Sequence, residues 1–140
     1  AWLAILQVLG GIAMYINHHR LARERALWEE HNRPVSDDCG VKALAAVAHV
    51  TYGEAMTLLR GYKHIFPTLR TTGCNGFKFV RVNDKASNPS AFAKRHQEGR
   101  YILYCGGCNH HYVPCVHGEV MYDSSYMPVT NAYLACPMEG

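Results

Sequence analysis

A cysteine stands where a polar turn runs into an apolar helix, at Cys39 in the stretch SDDCGVKALAAVA. Ser36 or Asp37 is predicted to cap this helix, because their side-chain oxygens accept hydrogen bonds from the free N–H groups of a first turn. Cys39 would then face the positive end of the helix dipole, which favours the nucleophilic thiolate. Asp37 and Asp38 oppose that effect by like charge. The alternative interpretation is a small apolar residue at the start of a buried helix, since free cysteine is among the most buried residue types.

A strand that carries histidine and a strand that carries aspartate follow in the second half of the chain. The stretch 99–104, GRYILY, predicts a strand. Beyond it, His111 precedes the turn glycine Gly118, and Asp123 follows that glycine. The chain order of cysteine at a helix N-terminus, then histidine, then aspartate is typical of a nucleophile, its base and the residue that orients the base.

With these motifs the chain resembles the papain-like cysteine peptidases, most of all their small bacterial and viral relatives. The resemblance rests on DDCGVKAL at 37–44 and on the succession of G, Y-I, H, G and D between 99 and 123. It extends over about residues 32 to 126. It implies an α+β fold in which N-terminal helices pack on a mostly antiparallel sheet.

The resemblance also implies a chemistry and assigns a role to each residue. Cys39 attacks a carbonyl carbon, His111 takes the thiol proton and later gives it to the leaving group, and Asp123 fixes the imidazole tautomer. The implied reaction is thiol-dependent acyl transfer, most simply hydrolysis of a peptide bond, and it needs no cofactor. Deamidation or transglutamination would use the same three residues. Asn32, seven residues before Cys39, is the candidate side-chain donor to the oxyanion, and its alternative role is a helix C-cap.

The length of one turn decides which histidine faces Asp123. Side chains alternate along a strand, so that His111, Val113 and Cys115 share one face and His110, Tyr112 and Val116 share the other. A three-residue turn at 117–119 would bring Asp123 to the face of His111, whereas a two-residue turn would bring it to the face of His110. We expect the longer turn.

A metal site competes with this interpretation. Cys105 and Cys108 form a C-x-x-C pair, and Cys115 and His117 follow closely. Thiolate and imidazole are the ligands that zinc prefers, so a small zinc-binding module is an alternative function. The C-x-x-C pair is equally compatible with a disulfide or a redox pair.

Residues 1–31 are predicted to form an apolar and then amphipathic helical arm that precedes the papain-like domain at 32–140. The segment 1–16 is apolar except for Gln7. It is shorter than the roughly 20 apolar residues that span a bilayer, so a membrane anchor and a helix buried in a larger assembly are both compatible with it. The basic flank at Arg20, Arg23 and Arg25 would place the domain on the cytoplasmic side of a membrane.

Composition limits the class of protein and its partners. With 140 residues, 49% of them hydrophobic and 18% charged, the chain is predicted to build one core. The net charge of +3 and the scattered basic residues do not indicate a nucleic-acid partner. The expected partners are a peptide or protein substrate, together with other subunits or a membrane contacted through residues 1–20. The alternative function is a structural component of a virion or membrane complex that has a peptidase-like fold and no activity.

The remaining elements follow from local patterns. We expect a helix from Cys39 to about His49, a second helix at 53–60, a strand at 77–82 and a short helix at 89–96. The stretch 63–75 is punctuated by proline and glycine and is predicted to be a loop.

Overall fold

The computed structural model of the chain describes residues 17–33, 37–60, 65–106, 111–121 and 127–138. Several predicted features lie outside these ranges, namely the apolar segment 1–16, Ser36, Cys108, His110 and Asp123.

Five helices lie within the described ranges. They are α1, described over 17–29, α2 (Cys39–Ala48), α3 (Tyr52–Leu59), α4 (Phe66–Thr72) and α5 (Pro89–Arg95). Helix α4 contradicts the loop predicted for 63–75. Pro67 lies in its first turn, where the missing N–H has no helical partner to lose, and Gly73 ends it at a positive φ of 69°. Both residues mark the ends of a short helix, and the prediction took them for loop punctuation.

Five strands form one antiparallel sheet. They are β1 (Phe77–Val82), β2 (Arg100–Cys105), β3 (His111–Val116), β4 (Glu119–Val120) and β5 (Val129–Pro137), in the spatial order β1-β5-β2-β3-β4. The last of these strands therefore lies inside the sheet, between the first and the second. The sheet and helices together confirm the α+β fold class.

The sheet separates two apolar clusters. On one face, Ile102, Tyr112 and Tyr133 pack against α2 and its helical neighbours. On the other face, Leu103 and Val113 pack against Phe92 of α5. Because successive side chains of a strand point to opposite faces, β2 and β3 contribute side chains to both clusters.

Helix α2 is the central helix of the larger cluster. Eight of its ten residues are buried, and most of them are alanine, glycine or valine. These small side chains let neighbouring elements approach the helix closely from several sides. At Gly40, an added Cβ would lie 2.9 Å from the Ile65 side chain and 3.5 Å from that of Tyr112. The first turn of α2 is therefore held close to the start of β3.

Helix α1 packs on the corner between α2 and α3. Leu21 is fully buried in the larger cluster. Arg20 donates to the carbonyl oxygens of Val50 at 2.9 Å and Ala45 at 3.2 Å, and it pairs with Glu24 at 3.0 Å. Through these contacts Arg20 links α1 to the last turn of α2 and to the connection between α2 and α3. Among the described residues, no helix is both long enough and apolar enough to cross a bilayer.

Candidate active site

Cys39 is the first residue of α2, as the sequence predicts, but the cap predicted for Asp37 is wrong, and Ser36 lies outside the described residues. The N-cap is Asp38, with φ −113° and ψ 16°, and its side chain makes no capping hydrogen bond. Asp37 does not cap the helix either. Its Oδ1 accepts a hydrogen bond from the Cys39 thiol at 3.4 Å.

The Cys39 sulfur lies among backbone donors and one carboxylate. The N–H groups of Tyr112 and Gly40 hydrogen-bond the sulfur and favour the thiolate, whereas the charge of Asp37 opposes it. The largest effect is burial, which raises the pKa of the thiol above its ordinary value because a charged sulfur loses hydration in this half-buried position. The resting side chain is therefore a protonated thiol at neutral pH.

His111 begins β3 beside this cysteine. Its neighbour Tyr112 supplies the N–H that contacts the Cys39 sulfur, so the two candidate catalytic residues lie at the same corner of the fold. Burial lowers the pKa of the His111 imidazole, and the nearby charge of Asp37 partly offsets that shift. Asp37 is thus close enough to act electrostatically on both the thiol and the imidazole.

Strand alternation gives the two side chains different faces. Tyr112 belongs to the cluster that α2 covers, and Cys39 packs against that same cluster. His111 pairs with Cys105 in the β2–β3 ladder, and Cys105 is buried in the opposite cluster. The alternation therefore assigns His111, the first residue of β3, to the face of the sheet opposite the one that α2 covers.

The turn between β3 and β4 is shorter than we expected. Val116 pairs with Glu119, so only His117 and Gly118 form the turn, at φ values of 50° and 77°. The three-residue prediction is wrong because two consecutive left-handed residues make a two-residue turn, and histidine is an uncommon residue in the first of these positions. The strand after this turn is described only as far as Val120, so the pairing of Asp123 with either histidine lies outside the described residues.

Asn32 makes the contact of a helix cap. Its Nδ2 donates to the carbonyl oxygen of Trp28 at 2.8 Å, and its side chain is exposed beyond the end of α1. The amide N–H of this hydrogen bond satisfies one of the last carbonyls of that helix.

The candidate zinc ligands are spread along the sheet. Cys105 pairs with His111 and Cys115 pairs with Tyr101, so the two cysteines stand four pairs apart in one ladder. That separation is about 13 Å along a strand, too far for both sulfurs to reach one ion at about 2.3 Å. His117 lies in the turn. Within the described ranges, no three histidine, cysteine, aspartate or glutamate side chains are grouped to hold a metal, and the five cysteines there are free thiols.

A second aspartate–histidine pair, which sequence analysis missed, lies between β1 and α5. The Oδ2 atom of Asp84 is 2.6 Å from Nε2 of His96, and Nδ1 of that ring is 3.3 Å from the Tyr101 hydroxyl. Arg95 also pairs with Asp84 at 3.0 Å. The His96 ring stacks on Phe92 with centroids 4.1 Å apart. These contacts fasten α5 to the sheet. Twelve residues separate the carboxylate from the histidine, and no local sequence pattern marks such a pair.

Asp84 should make stability depend on acid pH. The hydrogen bond from His96 is the main cause that lowers the pKa of Asp84. A carboxyl whose pKa is lowered by folding stabilises the protein above its unfolded value of about 3.9 and loses that effect as pH falls through the folded value. We therefore expect Asp84→Asn to lower Tm by a few degrees at neutral pH.

The pH profile of Tm is the measurement that tests this. The difference between Asp84→Asn and the unmodified protein should shrink steadily below the ordinary aspartate pKa. Glu98→Gln, at an exposed carboxylate of the same region, should leave the profile unchanged. A difference in Tm that stays constant down to strong acid would contradict the assignment.

Comparison of the chain with family models, with curated proteins and with solved structures finds no match. The fold class and the geometry of the site therefore come from this chain alone.

Proposed function

We propose that the chain is a thiol-dependent acyl transferase, most simply a cysteine peptidase, with Cys39 as nucleophile, His111 as base and Asp123 as the orienting carboxylate. The observation that supports this most strongly is the position of Cys39. It begins a central helix, and its sulfur accepts the N–H of Tyr112, one residue from a half-buried histidine. A helix N-terminus and converging N–H groups are the surroundings that activated cysteines have.

The protonation states favour general-base chemistry over a preformed ion pair. Burial raises the pKa of Cys39 and lowers that of His111, so both groups are neutral at pH values between the two. In the proposed reaction, the imidazole accepts the thiol proton as sulfur bonds to the carbonyl carbon. The proton then passes to the departing amine as the C–N bond breaks, which leaves a thioester on Cys39. Water, deprotonated by the same imidazole, cleaves the thioester and restores the thiol.

Attachment to a membrane or to a larger assembly through residues 1–20 is part of the proposal. At the end of that segment, Arg20 is already bound to carbonyl oxygens of the domain, so it is not available to an external partner. The competing function is a structural subunit without activity. One observation favours it: burial and the Asp37 carboxylate raise the pKa of Cys39, which disfavours the nucleophilic thiolate.

The pH dependence of alkylation at Cys39 tests the proposal. Iodoacetamide labelling of that peptide, followed by mass spectrometry, should rise in two steps. The lower step follows the deprotonation of His111, below its ordinary value of about 6.5, and the upper step follows the thiol itself. His111→Ala should remove the lower step and slow labelling at neutral pH by about a hundredfold or more, the usual scale of general-base assistance. It should leave the upper step in place.

Two further variants decide the assignment. Cys39→Ala should remove the label from this peptide, and His110→Ala should keep both steps. If His110→Ala removes the lower step and His111→Ala does not, the base has been assigned to the wrong histidine. A single step at an ordinary thiol pKa in every histidine variant would overturn the enzyme proposal in favour of the structural subunit.

A further inference from the structure

Two consecutive aspartates precede the nucleophile, and their surroundings differ. Asp38 is buried and accepts contacts from Arg25 at 3.0 Å, from Lys42 at 3.5 Å and from the Tyr52 hydroxyl at 2.9 Å. Its charge is therefore neutralised inside the protein. These contacts give Asp38 a structural role. They give none to Asp37.

Asp37 is exposed and touches the reacting atom. Its Oδ1 accepts a hydrogen bond from the Cys39 thiol, with 3.4 Å between the oxygen and the sulfur. Within the described ranges, no lysine or arginine side chain lies at ion-pair distance from Asp37. A carboxylate that is exposed next to a nucleophile is a group with which a cation on a substrate can pair.

The charge of Asp37 acts against the chemistry of the free enzyme. It disfavours the thiolate of Cys39, because two negative charges would then stand side by side. It favours a positive charge on His111. A cation beside Asp37 would remove the repulsion on the sulfur.

We propose that Asp37 selects acyl substrates that carry a positively charged group close to the reacting carbonyl. This inference rests on the proposed function, because it assigns the substrate class of the same cysteine. The cation pairs with Asp37, takes over the contact that the thiol makes in the free protein, and leaves the sulfur to attack. Substrates with a neutral or acidic group at that position react more slowly.

Methanethiosulfonate reagents of different charge test this directly on the folded chain, with two charged reagents of similar size and a smaller neutral one as reference. The trimethylammonium-ethyl, methyl and sulfonatoethyl reagents are positive, neutral and negative, respectively. The rate at Cys39 is measured for each by mass spectrometry of its peptide. The ratio of the positive to the negative reagent is the readout, because any change in thiolate fraction cancels from it.

The variants are Asp37→Asn and, as a matched control, Glu98→Gln. Asp37→Asn should lower the ratio by about three- to tenfold, the scale of one unscreened charge a few ångströms away in a high dielectric. Glu98→Gln should leave it within about twofold, because that exposed carboxylate lies in the loop after α5 and screening limits its reach. Raising the salt concentration should shrink the ratio only where Asp37 is present.

An unchanged ratio in Asp37→Asn would overturn the inference. That failure is distinguishable from failure of the proposed function. The function fails if the labelling of Cys39 shows a single step at an ordinary thiol pKa in every histidine variant, whatever the reagent charge. The inference fails if the charge preference does not depend on Asp37, even when the histidine dependence is found.

Discussion

Replacing Leu21 by alanine is expected to lower the free energy of unfolding by about 3 kcal/mol, within the range of buried leucine truncations. Leu21 is fully buried although it belongs to α1, the helix that precedes the proposed peptidase-like domain. It belongs to the same buried cluster as the small residues of α2, whose short side chains cannot extend to close a cavity. The missing methyl groups would therefore leave a void in the main core.

Leu27→Ala is the matched control on the same helix. Leu27 is 55% exposed, so its truncation should change stability by less than about 0.5 kcal/mol. Urea denaturation followed by fluorescence measures both variants, provided that unfolding is two-state. Equal, small effects at the two positions would show that α1 is a separable arm, which is the division at residues 31 and 32 that the sequence predicts. A large effect of Leu21→Ala alone would make α1 part of the domain.

Asp38→Ala is expected to cost about 3 kcal/mol, the usual penalty for removing one partner of a buried ionic group. Its side chain is 8% exposed, and it joins three elements by accepting from Arg25 of α1, Lys42 of α2 and Tyr52 of α3. Removal of the carboxylate would leave the Tyr52 hydroxyl without its acceptor and two cations facing each other. The loss therefore exceeds that of a surface salt bridge.

Asp37→Ala is the control for this prediction, because it removes the same carboxylate one residue away at an exposed position. It should change the free energy of unfolding by less than about 0.5 kcal/mol. Tyr52→Phe should cost about 1 kcal/mol, since it removes one hydrogen bond and leaves both ion pairs. If Asp38→Ala and Asp37→Ala are equally mild in denaturant titrations, the buried cluster does not stabilise the junction of the three helices.

Helices and strands with a clear local sequence pattern were predicted correctly. The apolar run after Cys39, the alternation at 77–82 and the proline-initiated helix at 89–96 all lie where expected, within a residue or two at their ends. Helix α4 was missed because proline and glycine mark both loops and helix ends. Which of the two they mark depends on whether the residues between them find a core to bury against, as Phe66 and Leu69 do.

The site was predictable as a chain order but not as a geometry. The sequence placed Cys39 at a helix start and His111 on the next-to-last long strand, and the structure brings the two to one corner. The Asp37 carboxylate accepts from the thiol and not from the helix N–H groups as expected, and the sequence gives no signal for which of two nearby donors a carboxylate will bind. The Asp84–His96 pair joins elements whose proximity exists only after the sheet has formed.

The strand order has a consequence for the order of events during synthesis. Among the strands that the structure describes, β1 pairs with β5 alone, and β2 also pairs with β5 along one of its edges. Until about residue 137 has left the ribosome, the nascent chain displays two unsatisfied strand edges, one of them rich in aromatic and branched side chains. Such edges recruit other chains. The interval between synthesis of β1 and of β5 is therefore the period in which the nascent chain is most prone to aggregate and most needs a chaperone.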